Sequence, residues 1–277
     1  MSLHIIFAQR YKPMNAEEQQ QAARFIAEHR LGKTPLPALE AAIQPLDLDT
    51  GYAVQALANR QLSQANLGKV LGHKVGATNL VLQRRLNIAH PVAGEVFATT
   101  IHQRSAALLH GDYVRPGVEC EVVVHLGRDL PPRAAPYARA EVEAAIAACA
   151  AGMEIIDDRY VDVKTLGAPT LIADNALDAG VVIGAPVTDW QALNLPALAA
   201  TTSINGNIVC RGTGADVMGD PINVVVWLAN DLSRRGLGLK AGEFVFTGSM
   251  VDIVWVQPGD HVVTSASVLG SVACVFR

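Results

Sequence analysis

The run VECEVVVHLG (118–127) sets Glu119, Glu121 and His125 into an otherwise apolar stretch, and this constrains the fold more than any other segment. Its alternation is that of a strand. Glu119, Glu121, Val123 and His125 point to one face, and Cys120, Val122, Val124 and Leu126 to the other. The two glutamates then stand about 7 Å apart at Cα, close enough to bracket one cation. A carboxylate in so apolar a segment is costly unless it is partnered. MEIIDDRY (153–160), a second apolar segment, carries Glu154. Laid alongside the first, it would complete an all-oxygen site for a hard divalent metal. Glu-x-Glu on a strand is also the ordinary pattern of a solvated sheet face, and spacing alone leaves both readings open.

Composition bounds the rest. At 277 residues, half of them hydrophobic, the chain can bury a large core in one domain or in one domain with an appendage. A formal charge of −4 provides no basic patch and argues against nucleic acid as a partner. The low charged fraction, 17%, implies that much surface is hidden, as in a homo-oligomer. No apolar run reaches the ~18 residues of a membrane helix, and MSLHIIFAQRYKP lacks the basic leader and cleavage pattern of a signal peptide. Cys120, Cys149, Cys210 and Cys274 lie far apart with no CxxC, as free thiols in a reducing cytoplasm do. A soluble cytoplasmic globular protein is expected.

Asn15 with Glu18 predicts a capping box for a helix through Arg30, and a second helix is expected from near Asp49 through Asn66. From about Lys69, short strands punctuated by glycine and proline predominate. The exception predicted is an alanine-rich helix over 140–152, stopped at Gly152 and feeding the strand of Glu154. Asn205-Gly206 suits the type I′ turn of a hairpin, and Asp220-Pro221 begins a helix that Gly236 ends. The tail alternates and turns at Pro258-Gly259. Strands after residue 70 are not regularly interleaved with helices. The expectation is an α+β chain, with a helical N-terminal region (1–68) and a mixed, largely antiparallel barrel or roll (69–277).

GTGADVMG (212–219) begins like a phosphate loop, but Val217 stands at the third glycine position and no Walker lysine follows. No GxSxG elbow and no HExxH helix occurs. Nucleotide, nicotinamide and acyl-serine chemistry therefore find no support.

The segments GHKVGATNLVLQRRL (72–86), HPVAGEV (90–96), VECEVVVHLGRDLP (118–131), MEIIDDRY (153–160), IADNALDAGVVIG (172–184), GTGADVMGDPINVVVWLAN (212–230) and LKAGEFVFTGS (239–249) share an order and spacing. Together they resemble the hydratase/decarboxylase branch of the fumarylacetoacetate hydrolase superfamily. The resemblance runs from GYAVQ (51–55) to LGSVACVF (269–276). It implies that fold, with Glu119, Glu121 and Glu154 as ligands of Mg²⁺ or Mn²⁺. The implied substrate is a small 2-oxo or 2-hydroxy alkenoic acid from aromatic-ring breakdown, whose C1 carboxylate and C2 oxygen can chelate one ion. The implied activity is that of a carbon–oxygen lyase, a 2-oxopent-4-enoate hydratase-like enzyme. Decarboxylation of a 2-oxo-3-hexenedioate (4-oxalocrotonate) is the runner-up, and a catalytically silent binding or assembly subunit is the reading from another class.

Lys74 matches the family's Lys-x-Gly motif, which implies a catalytic cation near the substrate carboxylate or enol oxygen, relaying a proton if burial depresses its pKa. Without the family it reads as a surface lysine ahead of a strand. Thr78 and Gln83 belong to the same motif, which implies that they shape the pocket. Thr247 and Ser249 match a Thr-Gly-Ser that lies beside substrate, although turn chemistry explains that tripeptide almost as well. Asp174 and Asn175 match an Ala-Asp-Asn segment and suggest bonds to backbone. Three positions depart from the pattern. Val92 stands where hydratases carry an aspartate and decarboxylases an apolar residue. The stretch 164–175 is one residue longer, with Gly167 and Thr170 at the expected lysine and aspartate; Lys164 is a nearby lysine but is not assigned the missing role. Asp220 replaces a common histidine.

Overall fold

The computed structural model describes residues 13–161 and 166–277. The chain opens with two helices, α1 (Ala16–Gly32) and α2 (Leu48–Leu62). The Asn15 side chain accepts from the Glu17 and Glu18 amides, and the Glu18 carboxylate returns to the Asn15 N–H at 2.7 Å, closing the predicted capping box. Asp47 caps α2 through the Thr50 amide, and the helix runs on into a π-helical turn over Ser63–Leu67.

Five strands lead to the centre of the molecule: β1 (Val70–Gly76), β2 (Val92–Phe97), β3 (Ile101–Gln103), β4 (Ser105–Leu108) and β5 (Pro116–Leu126). Then come β6 (Ile146–Asp157), β7 (Asp178–Ile183), and the hairpin of β8 (Ala199–Ile204) and β9 (Asn207–Thr213). The last four are β10 (Phe244–Ser249), β11 (Val254–Trp255), β12 (His261–Ala266) and β13 (Gly270–Phe276). Between them lie α3 (Leu80–Leu86), α4 (Arg139–Glu143), α5 (Ala168–Ala173) and α6 (Pro221–Arg234).

The larger sheet runs β2-β1-β10-β5-β6-β7-β3, with β11 also on β5; the smaller runs β4-β13-β12-β8-β9. Three pairings are parallel, β1 with β10, β3 with β7 and β4 with β13, and the rest are antiparallel. One face of the larger sheet gathers Val96, Val123, Ala150, Val181 and Phe246, and the sheet curls around this face until β2 approaches β7. The opposite face is covered twice. Near Val122 and Val124 it packs on Ile222, Val225 and Leu228 of α6, and near Val118, Met153 and Ile155 on Val262, Val272 and Phe276 of the smaller sheet. The fold is thus the mixed α+β arrangement that the strand pattern predicts. Asn205 and Gly206 both take positive φ at the β8–β9 turn, as a type I′ hairpin requires.

The helix expected over 140–152 is not there. Only Arg139–Glu143 is helical, and from Ile146 the chain is β6, with Gly152 in its middle. Alanine's helix preference is a few tenths of a kcal/mol per residue, and the ladders on both flanks of a central strand outweigh it. β6 pairs with β5 from Asp157 to Ile146 and with β7 on its other side. Small side chains suit that place, since both faces are covered; a Cβ on Gly152 would collide with Val123 and Phe246. The short helices α3 and α5 carry too few turns to announce themselves in the sequence. No helix among the described residues is long and apolar enough to cross a membrane, and all four cysteines are free thiols.

Candidate metal and substrate site

Antiparallel pairing sets Glu119 directly opposite Glu154, with Glu121 two residues along opposite Gly152. One carboxylate oxygen from each of Glu119, Glu121 and Glu154 lies within 4.8 Å of the others. Glu121 and Glu154 are fully buried and Glu119 half-buried. Lys74 comes from β1, two strands from β5 and three from β6, and its Nζ stands 3.0 Å from Glu154 Oε1. It also donates to the Ala176 carbonyl at 2.9 Å. Glu121 Oε2 accepts the Gly248 N–H at 2.6 Å. Among the described residues, Glu121 Oε1 and Glu154 Oε2 have no hydrogen-bond donor.

When ionised, three carboxylates against one ammonium carry two net negative charges, which one divalent cation would neutralise. Burial, reinforced by Glu154 and Glu119, pushes the Glu121 carboxyl well above the usual range. Burial likewise raises Glu154 to about 7, with Lys74 opposing, and raises Glu119. Unpartnered oxygens on buried, charge-dense carboxylates fit an oxygen-ligated cation such as Mg²⁺, Mn²⁺ or Ca²⁺. Lys74 departs from expectation. Burial draws its pKa down, but Glu154, Glu119 and Glu121 together outweigh that pull, so the ammonium is held above its ordinary value. Within this cluster it is a charged ammonium anchored to Glu154 and the Ala176 carbonyl, not a depressed lysine.

The other predicted residues lie close by with their own partners. Thr78 is buried against Gly248, whose φ of +101° and whose contact with Thr78 leave no room for a Cβ. That bare glycine lets its N–H reach Glu121. Thr247 donates its hydroxyl to the Val122 carbonyl at 2.9 Å, and Ser249 donates to the Val251 carbonyl at 2.7 Å. Gln83 donates to the Ala77 carbonyl at 2.9 Å. His125 shares the glutamate face but sits beyond Val123 against Phe244, where burial lowers its pKa. Val92 is buried in the main hydrophobic core. Asp220 caps α6 through the Ile222 amide. Lys164 lies outside the described residues.

Of a second group the sequence reading named only Asp174 and Asn175, and Asn175 makes the backbone bonds expected of it. Asn175, Ala176 and Leu177 all take left-handed φ, 58°, 50° and 66°. Such a conformation costs roughly 1–2 kcal/mol per non-glycine residue. The Asn175 side chain pairs with the Glu95 backbone in both directions, at 2.8 and 2.7 Å, and also accepts from Asn59 at 3.0 Å. Gly94 gives way to Asn175 and to the Lys74 stem, since a Cβ there would lie 2.9 Å from the Asn175 carbonyl and 3.0 Å from Lys74 Cδ. Asp174, expected to bond to backbone, instead meets Arg159 at 3.0 Å and Arg30 at 3.8 Å. Asp178 is fully buried, and burial with Glu154 nearby raises it to about 7. Arg30 reaches this group from α1, more than 140 residues earlier; in sequence it is an ordinary basic residue in a helix's last turn. Two surface clefts, one walled by Arg139, Trp190 and Asp220 and the other by Asp47, His90 and Trp227, include none of the site residues.

Curled mixed sheet and carboxylate cluster together match one class of protein. The chain belongs to the fumarylacetoacetate hydrolase family, whose fumarylacetoacetate (FAA) hydrolase C-terminal pattern matches residues 82–277. Within it, the chain is 31% identical over 255 residues to 2-keto-4-pentenoate hydratase of Burkholderia vietnamiensis, covering 92% of this chain and 95% of that one. It is 34% identical over 203 residues to 2-hydroxyhexa-2,4-dienoate hydratase of Comamonas testosteroni, covering 73% and 76%. Among solved structures it matches 4-oxalocrotonate decarboxylase from Pseudomonas putida G7, complexed with magnesium and adipate. The TM-score there is 0.89 at 25% identity, over 96% of this chain and 100% of that one.

Proposed function

We propose that this chain is a metal-dependent lyase that adds water to a 2-hydroxy-2,4-dienoate or its 2-oxo-alkenoate tautomer. The observation that carries the reading is the convergence of three buried or half-buried carboxylates, two of them with unpartnered oxygens, beside a protonated buried lysine. Hydratase relatives at 31% and 34% identity support the reaction assigned.

Glu119, Glu121 and Glu154 would hold Mg²⁺ or Mn²⁺, which supplies a Lewis acid for the adjacent carboxylate and C2 oxygens of an α-keto acid. Lys74, kept charged by its three acidic neighbours, hydrogen-bonds an anionic substrate oxygen and favours the enolate over the neutral ketone. Protonation of the dienol at its far end gives the α,β-unsaturated ketone. Water then adds at C4 and a proton at C3. Thr78, Thr247 and Ser249 line the substrate side of β10 and the loop after β1, where their hydroxyl oxygens retain accepting lone pairs.

Decarboxylation of a 2-oxo-enedioate is the second reading. Val92 favours it, because this buried valine offers no acid or base where the resemblance expects a hydratase aspartate. The decisive experiment adds Mg²⁺ and a 2-hydroxydienoate and follows loss of its conjugated ultraviolet band, with CO₂ release from the diacid measured in parallel. Band loss on the monoacid supports the hydratase. CO₂ from the diacid with an inert monoacid replaces it by the decarboxylase, and no turnover of either removes the lyase reading.

The proposal also includes a catalytic core over 69–277 buttressed by the helical region 1–68, a cytoplasmic location consistent with free thiols, and a homo-oligomer. Leu80 and Val81 on α3 are 66% and 77% exposed, and edge strand β9 presents Ile208 and Val209. Light scattering that returned only the 29.3 kDa monomer mass would remove the oligomer.

A further inference from the structure

Three consecutive non-glycine residues at positive φ persist only where their surroundings over-determine them, and such strain concentrates at functional sites. Here the middle residue of the strained stretch, Ala176, presents its carbonyl to the Lys74 ammonium at 2.9 Å. Two sets of contacts hold the stretch. On the β2 side, Asn175 is locked to the Glu95 backbone, with Asn59 of α2 bonded to both residues. On the α1 side, Arg30 donates Nη1 to the Asp174 carbonyl at 3.3 Å and Nη2 to the Asp178 carbonyl at 2.8 Å. Those two carbonyls flank the left-handed residues. The Arg30 side chain is 7% exposed, with the Asp174 and Asp178 carboxylates at 3.8 and 3.9 Å. Arg159 takes the other Asp174 oxygen at 3.0 Å, which leaves Arg30 free to bridge. A planar fork of N–H donors can span two carbonyls at once, and a lysine ammonium cannot reproduce that geometry.

We propose that Arg30 is a positioning residue for Lys74. By clipping the carbonyls on either side of the left-handed stretch, it keeps the Ala176 carbonyl where it pins the Lys74 ammonium beside Glu154. The helical N-terminal region, which precedes the matched residues 82–277, thus sets the site's geometry without touching substrate. The catalytic consequence rests on the lyase reading; the placement of Lys74 does not.

The test is Arg30→Lys, which keeps the buried charge and removes the fork. Lys74 is 3% exposed in the native chain, so acylation by acetic anhydride, read by mass spectrometry, leaves it protected. In Arg30→Lys it is expected to react roughly tenfold faster or more, because the local opening that exposes it becomes less costly. The circular dichroism spectrum is expected to be unchanged and Mn²⁺ affinity not to fall, while kcat on the dienoate falls roughly 100-fold through misplacement of the lysine. A merely structural role would lower melting temperature and Mn²⁺ affinity together and leave kcat of the folded fraction intact. Unchanged Lys74 protection in folded Arg30→Lys overturns the proposal. Should that variant fail to fold, Arg30→Gln, whose single amide nitrogen cannot span both the Asp174 and Asp178 carbonyls, is the second test, and Lys74 must again gain reactivity or the idea fails. Absence of turnover in the native enzyme would sink the lyase reading alone, since the acylation result still decides Arg30.

Discussion

Glu121 concentrates the tension of the site in one side chain: fully buried, one oxygen on the Gly248 amide, the other with no donor among the described residues. Glu121→Gln is expected to lower kcat roughly 10²–10³-fold and to weaken Mn²⁺ binding measured by calorimetry. The same change removes a buried, unpaired charge. The metal-free variant at pH 8 should therefore be more stable by about 1–3 kcal/mol in urea unfolding. Equal stability would mean that the carboxylate is better solvated than its burial implies. Gly248→Ala goes the other way. The new Cβ meets Thr78 at a φ open to few L-residues, and a loss of roughly 2–4 kcal/mol is expected from thermal melts. A native melting temperature in that variant would deny the close approach of Thr78.

β6 is the element that most separates local preference from tertiary outcome. Its run of alanines favours a helix, yet Ala148, Ala150 and Gly152 face β5 along a ladder that also sets Glu154 opposite Glu119. The cluster exists because this strand pairs in this register; a slip of one residue would turn Glu154 away from its partners. Gly152→Ala tests the packing, since its Cβ must displace Val123 and Phe246. Overpacking of about 1–3 kcal/mol is expected, with weaker Mn²⁺ binding because Gly152 is the cross-strand neighbour of Glu121. A variant as stable as the parent would place Phe246 elsewhere.

For the molecule as a whole, the carboxylate cluster links stability to pH. Folding raises Glu154 from about 4.5 to about 7 and raises Glu121 and Glu119 as well. The folded state thus binds protons more tightly than the unfolded chain. Its stability is greatest below the unfolded carboxylate values and is lost as pH rises through the folded ones. Metal-free protein is therefore expected to melt at progressively lower temperature from pH 5 to pH 8. A divalent cation competes with those protons, so saturating Mn²⁺ should flatten or invert the trend. Identical and pH-independent melting profiles with chelator and with Mn²⁺ would show that the cluster holds neither protons nor metal.

Legibility in the sequence followed the range of the interactions involved. The Asn15 capping box, the Asn205-Gly206 turn and the Asp220-Pro221 helix start depend on neighbours a few residues away, and each could be read directly. So could the shared face of Glu119 and Glu121, because strand alternation has a period of two. The order of segments carried family and fold class. What folding alone settled was which distant groups share a low-dielectric space. The alanines of β6 became a strand because both flanks pair, and Lys74 stays charged because three carboxylates close around it. Arg30 reaches a strained turn more than 140 residues away, and chain order carries no mark of that contact. Burial and long-range Coulomb terms depend on position in space, which sequence spacing encodes only within a helix turn or along a single strand.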